Sequence, residues 1–248
     1  MLVPELPLRL APTPQLKTYK RPYPCIRLGR FLDMTIADSD VYPEVLERTK
    51  RGDKFLDLGC CFGQEIRKLV FDGAPSVNTY GSDLWADFFT VGYELFRDEG
   101  RLKTTFIAAD VFDDASPLVT LAGQINVVFT GSLFHLFSLE EQEKVALRVI
   151  QLLAAQPGSL LIGRQSGSEE AGEIARSGDT SGRKHFRHNP QSWKSLWERV
   201  GRKTGSRWSV KADLRFQEPE LVLAAPAGLS VELQKAMSAQ LVYSVRRL

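Results

Sequence analysis

Phe55-Leu56-Asp57-Leu58-Gly59-Cys60-Cys61-Phe62-Gly63 is the stretch on which the reading of this chain turns. Residues 54–58 make a short apolar strand. Residues 64–71 follow as a helix, with Ile66, Leu69 and Val70 on one face. Between them, Gly59 and Gly63 remove side chains where the backbone turns close beneath a ligand. The N–H groups that open the next helix favour a ligand carboxylate. The spacing Asp-x-Gly-x-x-x-Gly is not the Gly-x-Gly-x-x-Gly of dinucleotide enzymes. Taken alone, such glycines also serve simply to end a strand.

Working outward, strand-like and helix-like patterns alternate over residues 53–165. Strands are expected at 78–82, 105–109, 125–130 and 159–163, and helical spacing recurs in Trp85, Phe88, Phe89, Tyr93 and Phe96. Ser138 and Glu141 make a capping-box pattern ahead of Val145, Val149 and Leu153. This alternation predicts an α/β fold with a parallel sheet covered on both faces. Asp83, 26 positions after Asp57, ends the second strand, at the distance of an acid that binds ribose hydroxyls. Asp110 ends the third, where it would meet an adenine amino group. Three acids at successive strand ends point to the crevice at the carboxyl edge of the sheet, where open α/β sheets bind ligands.

Residues 1–52 read as an N-terminal extension, Pro-rich at first and then helical around Val41, Tyr42, Val45 and Leu46. It is expected either to cap a substrate site, with Tyr42 contributing, or to pack against a second copy of the chain in a homodimer. Residues 53–248 read as the domain itself, with a lid-like insertion at about 166–205. Its start, 166–182, is rich in Gly, Ser and Glu and is expected as a mobile loop. Asn189-Pro190 then opens a helix bearing Trp193, Leu196, Trp197 and Val200 on one face. Strict alternation from Trp208 to Phe216 and a final apolar run at 240–245 give two more strands.

Composition narrows the functional classes. A 43% hydrophobic content suffices for a sizeable core, and a net charge of +2 gives no strong pull toward nucleic acid or membrane. No apolar run approaches the ~20 residues that span a bilayer. The start of the chain lacks the layout of a signal peptide, and three cysteines make no disulfide framework, so a cytoplasmic protein is expected. Basic residues with interleaved aromatics over 183–211 would suit a nucleic-acid strand. They equally form a solvated helix face, and no nucleic-acid partner is expected. His185 and His188 lack a completing set of ligands, and no metal is expected.

These residues resemble class I S-adenosylmethionine-dependent methyltransferases. Residues 57–63 look like their first motif, Asp83 like their ribose-binding acid, and Asp110-Val111 like their adenine-contacting pair. The resemblance implies a Rossmann-like, seven-stranded, mostly parallel sheet whose last strand is antiparallel. It implies S-adenosylmethionine as cofactor, bound by Asp57, Gly59, Cys60, Cys61, Gly63, Asp83, Leu84, Asp110, Val111 and Thr130. Residues 56–64, 68–75 and Phe134-His135-Leu136-Phe137 are similar to a fungal secondary-metabolite group, as are Gly163-Arg164-Gln165 and His188-Asn189 with Trp193 and Trp197. That group resembles carboxyl methyltransferases of meroterpenoid pathways, which form a methyl ester on a prenylated aromatic polyketide acid. The implied partner is a small carboxylic acid, contacted by Tyr42, His135, Arg164, Gln165, His188 and Trp193. A carboxylate is ionised near neutral pH and needs only orientation, whereas a phenol needs a base. His135 is the catalytic candidate in either case; it also fits a histidine packed beneath Phe134 and Phe137. Phenol O-methylation, nucleic-acid methylation and cofactor binding without transfer stand as alternatives.

Overall fold

The computed structural model describes Ile26 and residues 29–175, 184–216 and 239–248. They fall into two units, Met1–Met34 and Thr35–Leu248. In the first, Gly29 at φ 69° leads into a one-turn helix, Arg30–Asp33. Everything else belongs to the second, including the later part of the N-terminal extension.

Seven strands form one sheet in the order β3-β2-β1-β4-β5-β9-β8. They are β1 (Phe55–Leu58), β2 (Thr79–Asp83), β3 (Thr105–Ala108), β4 (Val127–Gly131), β5 (Leu160–Ser166), β8 (Trp208–Phe216) and β9 (Ala239–Arg247). The first five pair in parallel. β9 runs antiparallel between β5 and β8. The sheet is therefore the mostly parallel, seven-stranded one that the alternating sequence pattern and the methyltransferase resemblance imply.

Alternation along the strands sends side chains to two cores. Leu56, Leu58, Val128, Leu161, Tyr243 and Val245 belong to one, filled by α4 (Leu139–Leu152) and α5 (Pro190–Thr204). Phe55, Val127, Phe129 and Ile162 belong to the other, filled by α1 (Tyr42–Lys50) and α2 (Gln64–Phe71). α3 (Asp87–Phe96) covers the β2–β3 end, where Phe89 stacks on Phe106 at 5.0 Å. Ser138 and Glu141 close the capping box ahead of α4: Glu141 N–H donates to Ser138 Oγ at 3.3 Å, and Ser138 N–H donates to Glu141 Oε2 at 2.9 Å. No helix among the described residues is long and apolar enough to cross a membrane.

Gly172–Ala175 form a strand inside the stretch expected as a loop. β6 (Gly172–Ala175) pairs antiparallel with β7 (Lys184–Arg187) as a separate two-stranded sheet. Residues 176–183 lie outside the described residues. Gly and Ser composition marked a break from the main sheet but hid the pairing, which depends on a partner strand further along the chain.

β4 and β5 approach closely because Gly163 has no side chain. A Cβ there would sit 2.3 Å from the Thr130 carbonyl oxygen and 2.7 Å from the Tyr243 hydroxyl. Gly163→Ala is expected to destabilise the protein by about 1–3 kcal/mol through this overpacking. Chemical denaturation reads the loss; an unchanged midpoint would contradict it.

Candidate functional site

The glycine turn sits where β1 meets α2, at the carboxyl edge of the sheet. Gly59 and Cys60 donate their N–H groups to Ser82 O at 2.8 and 3.0 Å, tying the turn to β2. Cys61 adopts φ 49°, a left-handed conformation, and its N–H donates to Asp83 Oδ2 at 2.9 Å. Gly59 at φ 84° and Gly63 at φ 70° also need left-handed backbone. Gly63 has a packing role besides: a Cβ would meet Arg67 Nη1 and Phe106 Cζ, each at 2.9 Å.

Three carboxyl groups gather around this turn. Asp57 is buried, and its Oδ2 has no hydrogen-bond partner. Burial, followed by the charges of Glu65 and Asp83, pushes its pKa well above the usual carboxylate range. Burial also raises Asp83, against the pull of backbone donors at Cys61, Trp85 and Leu84. Glu65 is buried and raised by burial too. Its Oε1 accepts the N–H and hydroxyl of Thr35 at 2.9 and 3.0 Å, and its Oε2 accepts Ile36 N–H at 3.0 Å. Glu65 thus caps the one-turn helix Thr35–Asp38 and pins it to α2. Nothing local in the sequence pointed to this, because an acid in the first turn of a helix reads as an ordinary dipole partner.

The remaining edge residues have distinct settings. Leu84 is exposed, Val111 half-buried, and Asp110 exposed with its Oδ1 accepting Phe112 N–H at 2.9 Å. Thr130, the last residue but one of β4, is fully buried, with its Oγ1 2.6 Å from the Tyr243 hydroxyl. Tyr42 lies away from the glycine turn. Its hydroxyl donates to Asp72 Oδ2 at 2.5 Å just past the C-terminus of α2, whereas the glycine turn lies at that helix's N-terminus. It braces α1 against α2 and does not face the crevice.

On the acceptor side, His135 lies in the one-turn helix Phe134–Leu136 after β4, half-buried. Arg164 and Gln165 are neighbours on β5 and so point to opposite faces. Arg164 donates to Gln240 Oε1 at 3.2 Å, and its charge acts on Glu65. Gln165 is fully buried toward the Trp193 core, and neither atom of its amide has a hydrogen-bond partner. His188 is fully buried, with Nδ1 2.8 Å from Ser192 Oγ and its ring 5.3 Å from Trp193. Burial, then the charge of Arg199, lowers its pKa to about 3, so it is neutral. Trp193 is sealed in the core against Tyr243 at 4.4 Å and Phe134 at 5.0 Å.

A cavity of about 400 Å³ opens on the α5 flank, lined by Leu139, Phe186, His188, Ser192 and Arg199 among others. None of Asp57, Asp83 or Asp110 lines it. In the basic segment, Arg199 and Lys203 both pair with Glu143 of α4.

The sheet order and the glycine turn after β1 are those of the Rossmann-like methyltransferase fold expected from the sequence. Solved structures bear out the fold. One is magnesium protoporphyrin IX methyltransferase from Synechocystis with bound SAM, at TM-score 0.55 and 14% identity, covering 94% of this chain and 88% of that one. Another is mitomycin 7-O-methyltransferase, at TM-score 0.55 and 13% identity, covering 90% and 56%. No family model matches the chain. Curated relatives are nearer in sequence. O-methyltransferase phiE of Fungal sp. (strain ATCC 74256) is 47% identical over 191 residues, 76% of this chain and 63% of that protein. Methyltransferase adrK of Penicillium rubens is 45% identical over 196 residues, 78% of this chain and 70% of that protein. The asnovolin E/chermesin D methyltransferase nvfJ of Aspergillus novofumigatus is 43% identical over 198 residues, 77% and 68%. The chain belongs to this family of fungal methyltransferases. It spans a little under two thirds of phiE and slightly more of the other two.

The site's charges fit the cofactor expected from the sequence, S-adenosylmethionine. Asp57 with an unpartnered buried oxygen, beside Asp83 and Glu65, favours a ligand that carries positive charge. Raised carboxyl pKa values in the free protein mean that ionisation costs folding stability as pH climbs from the ordinary range near ~4. A bound cation offsets that cost by favouring the ionised form. Cofactor binding is therefore expected to release protons and to tighten as pH rises through the raised values. Calorimetry in mildly acidic buffers of different ionisation heat reads the release, and Asp57→Asn should reduce it. Binding heats that do not depend on the buffer would contradict this.

Proposed function

We propose that the chain is an O-methyltransferase that esterifies the carboxylate of a prenylated aromatic polyketide acid in fungal meroterpenoid biosynthesis. The cofactor is held by the turn from Gly59 through Cys60 and Cys61 to Gly63, beside Asp57. Asp83 takes the ribose, Asp110 the adenine amino group, and Leu84 and Val111 flank the ring. When bound, S-adenosylmethionine supplies a methyl group on a cationic sulfur; a carboxylate oxygen takes it while the bond electrons stay on sulfur, and no proton moves.

Gln165 carries the acceptor reading. A buried primary amide without partners costs about 1–3 kcal/mol. A polar acceptor group at its N–H donors reduces that cost, and those donors suit a carboxylate. Arg164 adds positive charge from the opposite face of the sheet. His135, on the turn above, orients the acid and keeps it aligned with the methyl group. The names of the relatives support O-methylation in general: phiE is called an O-methyltransferase. A phenolic acceptor is the second reading, in which the half-buried His135 would take the hydroxyl proton.

Prenylated 2,4-dihydroxybenzoic acids offer both nucleophiles in one molecule. Incubated with isotopically labelled methyl donor, they are expected to return the methyl ester, and His135→Gln should retain much of the rate. A methyl ether as product, with a loss of roughly 10²–10⁴-fold in a folded His135→Gln protein, would mark His135 as a base and overturn the carboxylate reading.

A further inference from the structure

Gln142 has no place in the site described above, yet it bridges two of the segments around it. It lies in the first turns of α4, its own N–H bonded to Ser138 O at 2.9 Å, and it is fully buried. Its amide Nε2 donates to Phe137 O at 3.0 Å and to Phe186 O at 2.8 Å. One carbonyl belongs to the end of the turn that carries His135. The other belongs to β7. Two more bonds cross the same seam: Phe186 N–H to Phe137 O at 2.9 Å, and His185 Nδ1 to the His135 carbonyl oxygen at 3.3 Å. His188 follows β7 directly, and its carbonyl accepts Ser168 N–H at 3.0 Å, which closes the segment back onto the end of β5.

We infer that Gln142 is a positioning residue that latches β7 to the His135 turn and so sets the acceptor side of the site. Both of its N–H donors are spent on the two backbones that must stay in register. Its Oε1 has no hydrogen-bond partner, so burying the amide is offset only by this bridge. An isolated buried polar group costs more than a satisfied one returns. A glutamine serving only to fill the core would therefore be better replaced by an apolar side chain of equal volume. Gln142→Met is that replacement: it keeps the volume and removes the bridge. The functional half of this inference rests on the acceptor reading above; the latch itself does not.

The experiment compares the wild type with Gln142→Met, after circular dichroism and S-adenosylhomocysteine affinity have shown the fold and cofactor edge intact. Gln142→Glu, whose carboxylate repels both carbonyls until it is protonated, serves as a second variant. Hydrogen exchange should show the Phe186 amide losing about tenfold in protection, the worth of roughly one net hydrogen bond. The chain has three histidines, so their ¹⁵N imidazole signals are separable. The His185 signals should move as its ring leaves the His135 carbonyl, while those of His188, held by Ser192, stay. With a prenylated 2,4-dihydroxybenzoic acid, KM should rise about tenfold with a smaller change in kcat, and Gln142→Glu should regain protection as pH falls. Unchanged Phe186 protection and His185 signals in Gln142→Met would overturn the latch. Lost protection with unchanged KM would overturn the positioning role. A methyl ether product with KM still raised would count against the carboxylate reading and leave the latch standing.

Discussion

One hydrogen bond gives the turn after β1 its shape: Cys61 N–H to the Asp83 carboxylate. Together with the bonds from Gly59 and Cys60 N–H to Ser82 O, it ties that turn to the end of β2. To present that N–H, Cys61 must adopt a left-handed backbone, an uncommon conformation for a residue with a Cβ. Gly59 and Gly63 on either side absorb the remaining curvature. The same bond brings the Asp83 carboxyl within Coulombic reach of Asp57, and burial then raises both. Local backbone geometry thus produces an acidic, partly desolvated edge, a property of the assembled turn that no single residue has.

The acceptor side is built differently, from two faces of one strand. Arg164 looks toward Glu65 and the helix Thr35–Asp38, Gln165 toward Trp193 and α5. An acceptor at the end of β5 would meet a charge from one side and an amide from the other. The turn Phe134–Leu136 and β7 form its remaining wall, and Phe137 packs edge-on against Phe112 at 5.0 Å. Phe112 in turn donates its N–H to Asp110. The acceptor wall and the expected adenine end therefore share a packed contact.

Much of this was readable in the sequence, for a physical reason. Residues 55–63 encode strand, turn and helix within a few positions, and acids at 57, 83 and 110 fall at or near the ends of adjacent parallel strands, each staggered by two residues from the next. Residues whose roles depend on distant partners were not readable. Thr130 lies near the end of its strand, but its hydroxyl is claimed by Tyr243, 113 positions away. Tyr42 shares a helical face with Val45, and only the packed structure shows that face turned to Asp72. Glu65 and Gln142 read as helix-surface polar residues, and both are buried by segments far away in the chain. The β6–β7 pairing escaped notice because Gly and Ser composition marks a loop whether or not strands flank it.

The central claim is that the carboxyl edge around Asp57 and Asp83 is the cofactor site. A crystal structure with S-adenosylhomocysteine tests it most directly. The account predicts the ribose hydroxyls on Asp83, the amino-acid end over the Gly59–Gly63 turn beside Asp57, and the adenine between Leu84 and Val111. Ligand density elsewhere, such as in the cavity beside His188 and Arg199, with the Asp83 edge empty, would contradict it.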